Sequence, residues 1–237
     1  MNYYFITGSS SGIGKAMVEE LLKYPNNQVI GLSRTNTLGD KQFEYWNCDL
    51  SKGAEVKAFK FQNIDKADRI VLINNAGDLG EIAYVGQQSD DNIIASSMVN
   101  FTSAAVLMNK FISAYQNFDG EKIIVNVSSG AANSAYDGWA NYCSAKAALN
   151  MFTRVIHEEQ LGQNYPVQAY AIAPGVVDTL MQDTIRDVEE RSFSQIEKFR
   201  ALKENNELYQ ANEVAEHILA LIMDPKNIPS LISRIQL

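Results

Sequence analysis

Residues 7–14 read Thr7-Gly8-Ser9-Ser10-Ser11-Gly12-Ile13-Gly14, and they join an apolar run over residues 3–7 to a helical pattern over residues 12–23. Glycines allow a tight turn and let backbone N–H groups approach a pyrophosphate closely. The N-terminus of the helix adds partial positive charge for the same anion. A strand before the glycines and a helix after them is the context that a dinucleotide-binding turn requires. We therefore predict that this loop binds dinucleotide phosphates; the alternative is a plain strand-to-helix turn.

Apolar runs and helical patterns alternate along most of the chain. The runs have the β-branched and aromatic content of strands, and they cover residues 3–7, 28–33, 43–46, 69–74, 122–128 and 167–173. Candidate helices cover residues 12–23, 51–62, 90–117, 139–161 and 211–223. This order predicts an α/β fold, a doubly wound Rossmann-type parallel sheet with helices on both faces. We expect a single domain over residues 1–237, in which the charged, weakly periodic residues 179–206 form an insertion that covers the substrate.

The composition argues against several classes of protein. The formal net charge of −8 disfavours a nucleic acid or an anionic membrane as a partner. Two cysteines, Cys48 and Cys143, are too few for a disulfide framework, and the two histidines lie far apart, so we expect no metal. The N-terminus does not read as a signal peptide, and no uncharged apolar run approaches the roughly 20 residues of a membrane span. We therefore expect a cytoplasmic protein.

Tyr142 and Lys146 are four residues apart within a helical pattern. Side chains at that spacing share one helix face, with Cβ atoms about 5–6 Å apart. A nearby ammonium favours the phenolate and lowers the pKa of a tyrosine from its usual value of about 10. The pair is therefore a candidate acid/base unit, although this spacing often occurs by chance.

Polar residues follow two of the predicted strands, where a parallel sheet places its ligand crevice. Ser128-Ser129 follows the run at 122–128, and a hydroxyl there can donate to a substrate oxygen; the alternative is a helix cap or turn. Asn74-Asn75-Ala76-Gly77 suits a cofactor-contacting loop, or else an ordinary turn. Asn100, within a helical pattern, is more often a residue that faces solvent or bends a helix.

Taken together, these residues resemble the short-chain dehydrogenase/reductase family over nearly the whole chain. The resemblance rests on the loop at 7–14, the Asn-Asn-Ala-Gly turn, Asp49-Leu50, the thirteen-residue spacing from Ser129 to Tyr142, and Pro174-Gly175 with Thr179 after it. It implies four catalytic residues: Asn100, Ser129, Tyr142 and Lys146. The cofactor contacts that we expect are Gly8, Ser10, Ser11, Gly12, Ile13, Gly14, Ser33, Arg34, Asp49, Leu50, Asn75, Ala76, Gly77, Tyr142, Lys146, Pro174, Gly175, Val177 and Thr179.

A narrower resemblance is to the sepiapterin reductase and benzil reductase-like group. It rests on Gly138-Trp139-x2-Tyr142-Cys143-x2-Lys146-Ala147-Ala148 and on Ala173-Pro174-Gly175-x2-Asp178-Thr179-x-Met181-Gln182. Sepiapterin reductase has an arginine where this chain has Ser11, and an acid near its C-terminus that residues 233–237 do not offer, which argues against a pterin substrate. We expect contacts to the substrate from Ser129, Tyr136, Trp139, Val176 and Met181, and a pocket whose further apolar lining includes Val177, Ile185 and Phe193.

These assignments predict an NADPH-dependent carbonyl reductase. Hydride would pass to a neutral, aromatic ketone or vicinal diketone, and Tyr142 would protonate the oxygen that Ser129 holds. Lys146 would hold the nicotinamide ribose and lower the pKa of Tyr142, and Asn100 would fix a helix kink and a water that replaces the proton. The alternatives are an NADP(H)-sensing regulator without turnover, a purely structural subunit, and an NAD-dependent alcohol dehydrogenase of the same family.

The end of the second predicted strand bears on cofactor choice. NAD-preferring relatives place an aspartate where this chain has Ser33, and Arg34 follows it. A guanidinium suits a 2′-phosphate by charge and by its fork of donors. We therefore predict that NADP(H) is preferred and that NAD(H) is possible.

The long helical patterns at 90–117 and 139–161 bear on assembly. Their apolar residues exceed what one face of a sheet obviously needs, and they include Ile93, Ile94, Phe101, Leu107 and Phe111. The family often packs such helices in a dimer interface. We predict a homodimer or a homotetramer.

Overall fold

The computed structural model describes residues 1–236, and its centre is one seven-stranded sheet. The strands are β1 (Asn2–Thr7), β2 (Asn27–Ser33), β3 (Phe43–Asn47), β4 (Arg69–Asn74), β5 (Glu121–Val127), β6 (Gln168–Ala173) and β7 (Ile232–Arg234). All pair in parallel, in the order β3-β2-β1-β4-β5-β6-β7. The order reverses between β1 and β4, and ligands bind at such a switch point, beyond the carboxyl ends of the strands.

Helices cover both faces of this sheet. They are α1 (Gly12–Leu21), α2 (Gly53–Ala58), α3 (Asp90–Ser97), α4 (Ser103–Tyr115), α5 (Ala140–Gln160), α6 (Leu180–Arg186), α7 (Ile196–Glu204) and α8 (Ala211–Met223). On one face, Met17 of α1 and Ile218 of α8 pack into one buried apolar cluster. On the other, Leu107, Phe111 and Leu149 of α4 and α5 pack into a second cluster. The predicted doubly wound Rossmann-type fold is confirmed.

The structure differs from the sequence expectations in three places. The expected helix at 51–62 ends at Ala58, because Phe59 has extended backbone angles and its ring packs into the core. The pattern at 90–117 is interrupted by a π-helical turn, Met98–Thr102, that joins α3 to α4. Strand β7 was not predicted, because three residues, Ile232-Ser233-Arg234, make no apolar run.

Residues 179–206 contain α6 and α7 and pack through a third apolar cluster. Ile185, Phe193 and Phe199 of this segment are buried against Trp139 and Tyr142 of the α5 region. A short turn at 137–138 holds the segment in place through hydrogen bonds. The Asp137 carboxylate accepts hydrogen bonds from the backbone N–H (2.8 Å) and the hydroxyl (2.9 Å) of Ser194. The segment thus has a defined position over the carboxyl end of β5.

None of the helices within residues 1–236 combines the length and the apolar character that crossing a membrane requires.

Candidate active site

A cavity of about 1020 Å³ runs along the carboxyl ends of the central strands. It reaches from Arg34 and Asp49 at the ends of β2 and β3 to Trp139 and Tyr142 at α5. Nearly every residue that we assigned to the site from the sequence lines it; the exceptions are Gly14, Asn100 and Phe193. The sequence therefore identified residues that the fold brings together from seven separate segments of the chain.

The glycine loop has the conformation that its residues allow. Gly8 and Gly12 have φ values of +68° and +53°, in the left-handed region that favours glycine. Gly14 has a different role from the cofactor contact that we expected. A Cβ at Gly14 would lie 2.3 Å from the Gly8 carbonyl oxygen and 2.4 Å from Asn75 Nδ2. Gly14 therefore lets α1 pack against the turn after β4, and does not line the cavity.

Thr7 and Asn75 join the glycine loop to the turn after β4. The Asn75 amide donates to the carbonyl oxygens of Thr7 (3.0 Å) and Gly8 (3.4 Å). The Thr7 hydroxyl oxygen accepts from the N–H groups of Asn75 and Ala76, both at 3.0 Å. These bonds fix the loops on either side of the switch point relative to each other.

The loop fits a dinucleotide pyrophosphate. Ser11 is the N-cap residue of α1, yet among the described residues its side chain makes no capping hydrogen bond. The hydroxyls of Ser10 and Ser11 border the cavity next to the first turn of a ten-residue helix, whose orphan N–H groups attract an anion. Thr179 lies opposite, with its Cγ2 3.4 Å from the position of a Cβ on Gly12. Residues from both walls therefore enclose the expected position of the phosphates.

Arg34 and Asp49 lie at the far end of the cavity. The Asp49 carboxylate accepts from the hydroxyl (2.7 Å) and N–H (3.0 Å) of Ser51. These bonds, with a smaller contribution from the Arg34 charge, hold the pKa of Asp49 below its ordinary value. Arg34 is exposed and forms no ion pair within residues 1–236. The Ser33 hydroxyl is buried and donates to Thr35 O (2.9 Å). Arg34 supplies the positive charge at this end of the cavity.

Tyr142 and Lys146 lie on the buried face of α5. Lys146 Nζ donates to Val127 O (2.9 Å) and lies 5.7 Å from the centre of the Tyr142 ring. Burial raises the pKa of Tyr142 to about 12, against the opposing effect of the Ser129 hydroxyl. Burial lowers the pKa of Lys146 to about 8. The expected lowering of the Tyr142 pKa by Lys146 is therefore wrong, because desolvation of the phenol decides the direction of the shift and keeps the phenol protonated at neutral pH.

The two serines after β5 have different surroundings. Ser129 Oγ accepts from Ala131 N–H (3.1 Å) at the start of a short 3₁₀ turn, and Ser129 lines the cavity beside Tyr142. Ser128 is buried, and its hydroxyl donates to Asn150 Oδ1 (2.6 Å). Asn150 is one turn beyond Lys146 on α5. The Ser128–Asn150 bond therefore ties the end of β5 to the helix that carries Tyr142, a link that the sequence did not reveal.

Asn100 lies within the π-helical turn and behind the cavity wall. Its amide donates to Ser96 O (3.0 Å) and Asp78 O (2.6 Å), and its Oδ1 accepts from Asp78 N–H (2.9 Å). A Cβ at Gly77 would lie 3.4 Å from Asn100 Oδ1 and 3.6 Å from Lys146 Nζ. The expected helix irregularity at Asn100 is thus present, and the amide approaches Lys146 across the glycine.

An aromatic stack forms the wall above Tyr142. Trp139 lies between Tyr136 and Phe193, with ring centres 4.9 Å apart on both sides. Val176 and Met181 complete the predicted lining. Phe193, which we expected in the lining, is fully buried behind Trp139. Gln182, Phe199 and Arg234 are among the lining residues that were given no role from the sequence. Arg234 lies on β7, and that strand had no sequence signal.

Comparisons with known proteins point to one family. The family model described as short chain dehydrogenase matches residues 2–190. The chain is 36% identical over 229 residues to "Benzil reductase ((S)-benzoin forming)" of Bacillus subtilis (strain 168), with 94% of this chain and 93% of the relative covered. It is 30% identical to the sepiapterin reductase of Xenopus laevis, over 75% of this chain and 74% of the relative.

Solved structures share the fold. The short chain dehydrogenase/reductase YIR035C of Saccharomyces cerevisiae superposes with a TM-score of 0.83 at 30% identity, over 99% of this chain and 96% of that one. The fold thus agrees with the sequence comparisons. The chain belongs to the short-chain dehydrogenase/reductase family and is an NAD(P)-dependent oxidoreductase.

Proposed function

We propose that this chain is an NADPH-dependent carbonyl reductase that acts on a neutral aromatic ketone or vicinal diketone. The observation that carries the proposal is a buried phenol, Tyr142, beside Ser129 in a cavity whose other end fits a dinucleotide. The similarity to proteins named benzil reductase supports the substrate class.

The residues divide the chemistry of carbonyl reduction between them. A bound nicotinamide supplies the hydride that adds to the carbonyl carbon. Tyr142 donates its proton to the carbonyl oxygen, where negative charge develops, and a pKa of about 12 keeps that proton in place before reaction. The Ser129 hydroxyl donates to the same oxygen. Lys146, held by Val127 O, presents an ammonium to the ribose, and Asn100 takes part in replacing the proton through water.

The cofactor preference rests on Arg34. Its guanidinium borders the cavity without an acidic ion-pair partner in the described chain, at the end where a 2′-phosphate would lie. Ser33 offers no negative charge to repel that phosphate. NADP(H) is the preferred cofactor in this proposal.

The proposal that the substrate is neutral rests on the composition of the pocket above Tyr142. Two arginines of the 179–206 segment, Arg186 and Arg191, are ion-paired with Asp183 and Glu189. The segment covers a substrate with apolar and aromatic side chains. Arg234 also lines the cavity, and it favours a 2-keto acid as the second candidate class.

The assembly that fits this chain is a homodimer or homotetramer through the helices of residues 90–117 and 139–161. Leu107 and Phe111 cover the sheet and are fully buried. Exposed apolar side chains remain on α3 and α5, with Ile94 63% and Met151 55% exposed. We expect at least twice the chain mass of 26.4 kDa by light scattering at micromolar concentration. A monomeric mass would refute this assembly.

A substrate panel tests the activity. NADPH and NADH oxidation are followed with benzil-like diketones, aryl ketones, sepiapterin and 2-keto acids side by side. We expect the highest kcat/KM with NADPH and an aromatic ketone or diketone. A preference for keto acids would assign Arg234 as a carboxylate clamp, and cofactor binding without turnover of any carbonyl would favour the sensing regulator.

A further inference from the structure

Two buried polar atoms in the wall above Tyr142 have no hydrogen-bond partner among residues 1–236. They are Trp139 Nε1, a donor, and Gln182 Oε1, an acceptor. Both side chains line the cavity, and only 5% of Trp139 and 6% of Gln182 is exposed. Buried polar groups in folded proteins are nearly always paired, so two unpaired ones beside a substrate site call for a physical reason.

The indole of Trp139 is held in one orientation. Tyr136 and Phe193 stack on its two faces, with interplanar angles of 26° and 17°. Phe193 is in turn fixed by its neighbour Ser194, whose N–H and hydroxyl both bind the Asp137 carboxylate. Because both faces are covered, only the edge of the ring, which carries Nε1, remains for a ligand.

The indole ring is close to the reacting group. The rings of Trp139 and Tyr142 meet at 86° with centres 6.0 Å apart. A substrate whose carbonyl oxygen contacts the Tyr142 hydroxyl therefore places its neighbouring atoms beside the indole. An indole N–H only donates, so it matches an oxygen and not a methylene group.

Gln182 is held in the same wall by the start of α6. The backbone N–H of Gln182 donates to Thr179 O (2.8 Å). Ile185, one turn further along α6, packs in the cluster that contains Trp139 and Tyr142. The amide oxygen of Gln182 can accept a hydrogen bond from a hydroxyl, and its NH₂ group can donate to a carbonyl oxygen.

We propose that Trp139 Nε1 donates a hydrogen bond to a second oxygen of the substrate, next to the carbonyl that is reduced, with the Gln182 NH₂ group as a second donor. This inference rests on the proposed carbonyl reductase function and names its specificity-determining residues. The site takes vicinal dicarbonyl compounds in preference to simple ketones of the same shape, because only the dicarbonyl pairs the buried N–H.

Two substrates and two variants test the proposal. Benzil and deoxybenzoin share one skeleton, and deoxybenzoin has a methylene group in place of the second carbonyl. The quantity measured is the ratio of their kcat/KM values in the wild type, in Trp139→Phe and in Phe193→Leu. The difference in intrinsic reactivity between the two ketones enters every ratio equally and cancels when ratios are compared.

Trp139→Phe removes the N–H and keeps an aromatic ring, and we expect it to lower the benzil-to-deoxybenzoin ratio about 3- to 10-fold. Phe193→Leu loosens the same indole but keeps its N–H, and we expect its ratio to stay within about twofold of wild type. An unchanged ratio in Trp139→Phe, with both ketones still reduced, overturns this inference and leaves the proposed function standing. If the wild type reduces neither benzil nor deoxybenzoin, the proposed function is overturned instead.

A direct measurement covers the case in which Trp139→Phe does not fold. The chain has two tryptophans, so its ¹⁵N-labelled form gives two indole N–H signals, and Trp46→Phe assigns them. In Tyr142→Phe with NADPH bound, benzil should move the Trp139 signal downfield and deoxybenzoin should not. Equal shifts with the two ketones overturn the inference.

Discussion

Gly14 is the position where the packing of the site can be tested most sharply. In Gly14→Ala, the new Cβ would lie 2.3 Å from Gly8 O and 2.4 Å from Asn75 Nδ2, well inside van der Waals contact. Forcing an extra methyl group into a packed site costs about 1–3 kcal/mol. Displacing the Asn75 amide also weakens its bonds to Thr7 O and Gly8 O, each contributing about 0.5–1.5 kcal/mol. We expect the free energy of unfolding to fall by about 2–4 kcal/mol.

The assay is urea unfolding, combined with titration of NADPH into the folded variant. The control is Gly162→Ala, because a Cβ there would meet no described atom within 4 Å. We expect Gly162→Ala to stay within about 0.5 kcal/mol of wild type, as surface substitutions usually do. If Gly14→Ala were equally stable and bound NADPH as tightly as wild type, the close approach of α1 to the Asn75 turn would not have the energetic importance that we assign to it.

Three further predictions concern the ionisable groups of the site. Tyr142→Phe should retain less than a tenth of the wild-type kcat on the best substrate while still binding NADPH by fluorescence titration; higher turnover would assign the proton to another group. Arg34→Ala should weaken NADPH binding about 10- to 100-fold with little change for NADH, and equal wild-type kcat/KM values for the two cofactors would contradict this role. Burial lowers the pKa of Lys146 to about 8, so between about pH 8 and 10.4 the unfolded chain binds more protons at this residue and stability should rise with pH. Lys146→Met should remove that rise in chemical unfolding measured across this range, and an identical pH slope in both proteins would count against a desolvated lysine.

The sequence predicted the sheet and the catalytic end of the site well, for identifiable reasons. Five of the first six strands are mostly buried, as parallel strands covered on both faces must be, and their apolar runs stand out from the helical patterns between them. The edge strand β3 is largely exposed. Ser129, Tyr142 and Lys146 lie at strand ends or on one helix face, so their spacing in the chain translates directly into proximity.

What the sequence did not predict depends on contacts between distant segments. Gly14 resembled a phosphate contact by its spacing, but its role is set by Asn75, which is distant in the chain. The three residues of β7 are defined by pairing with β6 and not by their own composition. The pKa of Tyr142 was expected to fall because Lys146 is near, whereas the structure shows that burial decides its direction, and burial cannot be read from spacing.

The π-helical turn at Met98–Thr102 gives the site an unusual sensitivity to chain length. A π turn accommodates one residue more than an α-helical turn, so deleting one residue there would let α3 and α4 fuse into a regular helix. A π turn absorbs its extra residue locally, so the deletion would remove the bulge around Asn100 and leave α3 and α4 in nearly the same relative orientation. Asn100 would then no longer face Asp78 and Gly77, although the helix itself would become more regular. Single-residue deletions in this turn would therefore separate folding from catalysis: the protein would still fold, but Asn100 would no longer be placed beside Gly77.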